Sequence, residues 1–158
     1  KNTFLLDLGA SPGGWSQVAS KIITSGKILS IDIKKMEPIQ NVKFVNSNIF
    51  NQKTKEIIQT FFGKELDVVI SDMAADTTGN KSLDCIRTNQ LCAEVINLSR
   101  KILKKNGVIV SKLFMGEDFL EVKQKAKSLF KDVFFYKPES SKNESKETYL
   151  HCKNLKAL

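Results

Sequence analysis

Short apolar runs bounded by turn residues alternate along most of the chain with longer stretches in which apolar side chains recur every three or four positions. Runs at 4–8, 28–33, 42–46, 67–71 and 108–114 read as strands, and stretches at 15–24, 52–62, 83–103 and 118–130 read as helices. Ser25-Gly26 stops the first helix, Gly63 closes the second, and Lys104-Lys105-Asn106-Gly107 ends the third with cations on its negative pole. Pro38 makes 36–39 a loop. Residues 67–71 are almost wholly apolar between polar ends, the mark of a parallel strand covered on both faces. The alternation predicts an α/β fold. Its ending departs from the pattern, because 138–146 is rich in Ser and Asn and has no helical period. The runs on either side, 133–136 and 148–152, should therefore pair antiparallel. The expected architecture is Rossmann-like: a mainly parallel seven-stranded sheet with an antiparallel last strand, helices on both faces, and a single domain over 1–158.

The strongest turn signal follows the first strand, at Gly9-Ala10-Ser11-Pro12-Gly13-Gly14. A missing Cβ lets a ligand approach the backbone, and the helix that starts next adds unpaired N–H groups aimed at the same spot. The spacing lacks the second glycine that G-x-G-x-x-G would place at position 11, and it lacks the Gly-Lys-Ser/Thr ending of a P-loop. Pyrophosphate and triphosphate ligands fit it poorly. Asp32 ends the second strand, where a carboxylate can accept two hydrogen bonds from a ribose. A nucleoside held by its ribose without phosphates describes S-adenosylmethionine. A dinucleotide, or a glycine turn with no ligand, remains open at this point.

Further charged residues stand where their burial would be costly. Asp72 ends the fourth strand, and ligands of open parallel sheets sit at the carboxyl ends of strands. Lys112 lies inside the apolar body of the fifth strand, which is expensive for an amine unless it is paired or useful. Glu147 precedes the last strand. Each alone could be half of a structural ion pair. Together, two acids and an amine could converge above one sheet edge.

A net charge of +8, carried mainly by residues 100–158, favours a polyanionic partner such as nucleic acid, although a lysine-rich solvated surface gives the same count. The 41% hydrophobic and 27% charged content is that of an ordinary globular domain. No apolar run approaches a membrane span and no signal peptide heads the chain, so neither a membrane nor secretion is expected. Cys85, Cys92 and Cys152 are odd in number and form no C-x-x-C pair, which speaks against a disulfide framework or a zinc site and for a reducing compartment. His151, the single histidine, is expected at a strand edge and leaves no basis for a multi-histidine metal site. The chain opens almost directly in a buried-type strand, so its natural N-terminus is expected upstream.

The stretches LDLGASPGGWSQ (6–17), SDMA (71–74), GVIVSKLF (107–114) and KPESSKNESKETY (137–149) resemble successive motifs of the FtsJ/RrmJ family of RNA ribose 2′-O-methyltransferases. The resemblance runs in order over essentially the whole chain. It implies methyl transfer from S-adenosylmethionine to a ribose 2′-hydroxyl through a Lys-Asp-Lys-Glu tetrad. Asp72, Lys112 and Glu147 match its last three members, with Lys112 as proton acceptor. Cofactor contacts carry over to Gly13, Trp15, Asp32 and Asp72, beside Gly9 of the glycine turn. The chain departs from the family twice. The first tetrad lysine lies on a helix preceding the first strand, and Lys1 is too close to that strand to match it. An acid that contacts the adenine amino group is replaced by Asn46-Ser47-Asn48, where the Asn48 amide oxygen can still accept, without charge. Weaker cofactor binding is expected. A ribose hydroxyl needs alignment and a base, and an amine between two acids stays charged and accepts a proton poorly. A second lysine from upstream would relieve that, so this stretch alone should bind cofactor and methylate poorly.

The SDMA motif and the 36–39 loop look more like the bacterial and organellar branch, which modifies a uridine of large-subunit ribosomal RNA, than the tRNA anticodon-loop branch. The partner is then ribosomal RNA or the large subunit, the protein a monomer without metal, and its place the cytoplasm of a bacterium or a mitochondrion. A messenger-RNA cap is an outlying substrate. A catalytically silent RNA-binding assembly factor and a small-molecule methyltransferase are the rival classes, the second having no use for the basic region.

Overall fold

The computed structural model describes residues 2–138 and 146–157. Lys1, and residues 139–145 of the expected final loop and fourth motif, lie outside the described residues. In chain order the elements are β1 (Thr3–Leu8), α1 (Gly14–Ile22), β2 (Gly26–Asp32), β3 (Lys43–Asn46), α2 (Gln52–Phe62), β4 (Leu66–Ser71), α3 (Lys81–Ile102), β5 (Leu103–Phe114), α4 (Phe119–Leu129), β6 (Phe130–Tyr136) and β7 (Glu147–Leu155). The strands form one 7-stranded sheet in the order β3-β2-β1-β4-β5-β7-β6. All pairings are parallel except those of β7, which is inserted between β5 and β6 and runs antiparallel to both.

The two faces of the sheet are covered unequally. Phe4, Leu6, Leu8, Leu29, Ile31, Val69, Ile109, Leu113 and Leu150 point to the face packed against α2, α3 and α4, through Ile58, Val95, Ile96, Val122 and Ala126. Removing a side chain here, as in Ile109→Ala, would cost about 2–5 kcal/mol. On the other face a smaller cluster of Leu5, Ala19 and Ile28 packs α1 against one side of the sheet. Strand alternation sorts β5 accordingly: Ile109, Ser111 and Leu113 are buried under the three helices, while Val108, Val110 and Lys112 stand half-buried on the α1 side. An amine in that apolar strand is thereby spared the deeper core.

Three boundaries differ from expectation, each because long-range pairing outweighs a local signal. The stop at Lys104 to Gly107 is strand rather than helix end: Leu103 pairs with Leu66, and after a register shift Val108 pairs with Val68. Asp67 fastens this segment by accepting from the Phe4 amide at 2.8 Å and the Lys104 ammonium at 2.8 Å. β6 begins at the buried Phe130, and β7 continues to Leu155, because Phe130 pairs with Leu155 and Asp132 with Lys153. Gly26 does not cap α1, whose last turn is closed by the Ile23 amide on the Ala19 carbonyl. It opens β2 with φ +130, and a Cβ there would lie 2.0 Å from the Thr3 carbonyl oxygen. Only glycine lets the two strands start side by side.

Candidate active site

Register brings the three expected catalytic residues together. Ser71 pairs with Ser111, so Asp72 and Lys112 follow as neighbours at the carboxyl edge, and Phe114 pairs with Glu147 across the antiparallel boundary. Lys112 Nζ lies 3.2 Å from Asp72 Oδ1 and 3.4 Å from Glu147 Oε2, with its side chain 14% exposed. Half-burial keeps the attraction well above that of a surface pair. The cluster brings together the three residues that the resemblance singled out.

Tyr149, which sequence reasoning passed over, completes this group. Its hydroxyl donates to Asp72 Oδ1 at 2.9 Å and reaches Glu147 Oε1 at 3.4 Å, and its ring packs against Trp15 with centroids 5.5 Å apart. Burial first, then the Asp72 hydrogen bond and the charges of both carboxylates, push this phenol far above its ordinary value. It is a fixed donor. The available signal was its place two residues after Glu147 in a strand, hence on the same face.

Beside the cluster opens a cleft of about 320 Å³ lined by Gly9, Asp32, Asn48 and Asp72, with Ile31, Met73 and Leu91 among its apolar walls. Gly9 has φ +70, and a Cβ there would lie 2.6 Å from Met73 Cγ, so the turn presents bare backbone. Asp32 holds the turn in place by accepting the Ser11 amide at 2.8 Å on one oxygen and the Lys34 amide at 2.8 Å on the other. Each oxygen keeps a lone pair for a ligand. Asn48 Oδ1 accepts from the Phe50 amide at 2.9 Å and likewise keeps one. Gly13 and Trp15 do not line this cleft. Gly13 precedes α1 beneath Met36 and Ile39, and Trp15 turns to Tyr149 and to an apolar groove on the α1 side.

Three larger hollows, about 580 Å³ beside α1, about 560 Å³ between α2 and α3 and about 440 Å³ between α3 and α4, lie away from the paired acids. The first is walled by Leu5, Val18, Ile22, Val68 and Ile70, without a charged group. The smaller cleft is the one that borders both Asp72 and the glycine turn, which makes it the candidate site. Below the glycine turn Asp7 is buried, accepts from the Ser16 hydroxyl at 2.5 Å, and is pushed up to about 6 by burial, opposed by that hydrogen bond and aided by Asp72 and Asp32. Ser30 and Ser16 hydroxyl oxygens lie 2.6 Å apart behind it. Among the described residues no group of three or more His, Cys, Asp or Glu could hold a metal ion, and no helix is long and apolar enough to cross a membrane.

Comparison with known proteins agrees with this fold. The model of the FtsJ-like methyltransferase family matches residues 1–155. A protein of Pelagibacter ubique named ribosomal RNA large subunit methyltransferase E is 45% identical over 152 residues, covering 96% of this chain and 75% of that protein. One of the same name from Rickettsia akari is 44% identical over 161 residues, covering 98% of this chain and 71% of the relative. A crystal structure described as a ribosomal RNA methyltransferase from Plasmodium falciparum superposes with a TM-score of 0.87 at 29% identity, over 98% of this chain and 87% of the other.

Proposed function

This chain belongs to the FtsJ-like methyltransferase family, and from that premise we propose that it methylates the ribose 2′-hydroxyl of a uridine in large-subunit ribosomal RNA, with S-adenosylmethionine as donor. The observation that carries this reading is Lys112, held 3.2 and 3.4 Å from two carboxylates at the mouth of the cleft beside the glycine turn. The names of the two bacterial relatives support the choice of RNA, and a ribosomal target fits the cytoplasm of a bacterium or the interior of a mitochondrion.

The residues present fit the cofactor. Asp32 offers lone pairs to a ribose diol, Gly9 offers close backbone approach, and Asn48 offers an uncharged acceptor for an adenine amino group. When bound, it supplies a methyl group on a positively charged sulfur, ready to pass to an oxygen nucleophile. Lys112 Nζ positions the attacking hydroxyl, and in its neutral form, which a second cation beside it would favour, takes its proton. Asp72 and Glu147 hold the amine in place, and the Tyr149 hydroxyl holds Asp72. Trp15 acts through Tyr149, and Gly13 through the start of α1.

The test is methyl transfer from labelled S-adenosylmethionine to ribosomal particles, naked ribosomal RNA and transfer RNA, by the protein extended at its N-terminus and by the Lys112→Ala variant of that form. A 2′-O-methylated uridine in large-subunit RNA is expected, with transfer reduced at least about 100-fold in the variant and cofactor affinity retained. Modification confined to transfer RNA would relocate the substrate. Cofactor binding without transfer to any RNA would sink the enzymatic reading and leave a silent RNA-binding assembly factor.

A further inference from the structure

Strand alternation in β6 turns Phe135 toward α4, where its ring lies 4.8 Å from that of Phe119, and turns Phe134 and Tyr136 to the opposite face. There they stand 59% and 61% exposed, consecutive on one side of an edge strand. Scattered apolar residues on a surface need no explanation, but paired rings beside a site do.

Register connects them to the reacting group. Lys112 pairs with Tyr149 and Tyr149 with Tyr136, so one row crosses β5, β7 and β6 on a single face. Neighbouring strands are about 4.8 Å apart, which puts Tyr136 roughly 10 Å from Lys112, within reach of a nucleotide or two of extended chain. The next row runs from Val110 through His151 to Phe134, whose ring centroid lies 6.2 Å from that of His151. Charge on this part of the surface favours an anion. Lys137 and Lys146 are exposed at its upper rim and Lys153 at its lower, while the nearby carboxylate of Asp132 accepts from Asn154 at 2.6 Å.

We propose that Phe134 and Tyr136 form a stacking platform for unpaired nucleobases flanking the nucleotide whose ribose is presented to Lys112. This rests on the reading that the substrate is RNA. Sequence-tolerant binding of single strands combines aromatic faces for the bases with cations for the phosphates, and sheets that bind RNA stack bases on exposed rings of this kind. The platform orients the strand leading to the site; the cleft and Lys112 select the reacting ribose.

The test measures affinity of the protein, Tyr136→Ala, Tyr136→Phe and the Phe134→Ala/Tyr136→Ala double variant for a fluorescein-labelled single-stranded RNA, intact or carrying abasic positions. Tyr136→Ala should weaken binding of intact RNA about 5- to 100-fold, and Tyr136→Phe should restore most of it. Abasic RNA should bind the parent as weakly as intact RNA binds the double variant, and the double variant should not distinguish the two. Cofactor affinity and thermal midpoint should be unchanged. Equal RNA affinity of the parent and the double variant would overturn the platform and leave the RNA reading standing. Loss of affinity accompanied by a lowered midpoint would overturn it in favour of rings that serve packing with a protein segment. A parent that binds no RNA would overturn the substrate reading, and the platform with it.

Discussion

Asp7 titrates within the range in which the protein can be handled, and the sign of its effect follows from its surroundings. Burial holds its carboxyl at about 6, against 3.8 for an ordinary aspartate, so the folded state binds the proton more tightly than the unfolded chain. Asp7 therefore costs stability above pH 6, and the cost fades as pH falls from 6 toward 4. In full it amounts to about 3 kcal/mol. Urea unfolding of the parent and of Asp7→Asn should show the variant's advantage at pH 8 shrinking or reversing by pH 4.5; parallel profiles would refute the titration. Under the proposed function Tyr149 bears on the chemistry instead, through its hydrogen bond to Asp72. Tyr149→Phe keeps the ring against Trp15 and removes the donor to Asp72, so turnover should fall about tenfold with cofactor affinity unchanged. An unaltered turnover would make the hydroxyl a bystander. Asp72, Lys112 and Glu147 were legible in the sequence because a charge at a strand end, or inside an apolar strand, breaks the pattern around it. Tyr149 was not, because tyrosine is an ordinary strand residue whose partner is visible only once β7 is registered against β5. Ser16, which donates to Asp7, and Ser30, which meets Ser16, come from α1 and β2 and are brought together only in the fold.

Two glycines at the scale of elements separate architecture from binding. Gly26→Ala sets a Cβ 2.0 Å from the Thr3 carbonyl at positive φ, so β1 and β2 must part, and a loss of at least about 3 kcal/mol is expected. Gly9→Ala sets a Cβ 2.6 Å from Met73 Cγ and 3.1 Å from the Met73 backbone, and should cost about 1–3 kcal/mol while shifting Met73 in the cleft wall. Denaturation and cofactor titration of both variants should show one failing in stability and the other in affinity; the reverse would mean the two turns have been assigned the wrong tasks. Glycine-turn, strand and helix types were readable from period and punctuation. The start of β5 was not, because Lys104 to Gly107 looks locally like a helix stop. Pairing of Leu103 with Leu66 and the Asp67 ties then draw it into the sheet.

At the scale of the whole molecule, three helices cover one face of the sheet and α1 covers part of the other. The helix-poor side carries Lys112, Tyr149, Phe134 and Tyr136, and the net charge of +8 suits it to a polyanion. Binding of single-stranded RNA should weaken with salt along a log–log slope of about −2 to −3.5, as for three to five phosphates neutralised. A slope near zero would reduce the charge to solvated surface. Expectation and structure agree on an antiparallel last strand, and its position between β5 and β6 has a consequence in time. Glu147 opens the element latest in the chain, and β6 has no sheet neighbour but β7. Asp72 and Lys112 are synthesised before Glu147, and the ion pair between Lys112 and Glu147 can form only once β7 has taken its place beside β5. On the proposed reading, a chain whose last strand has not been inserted holds Lys112 with one acid instead of two, so the onset of turnover during refolding would report the arrival of that strand.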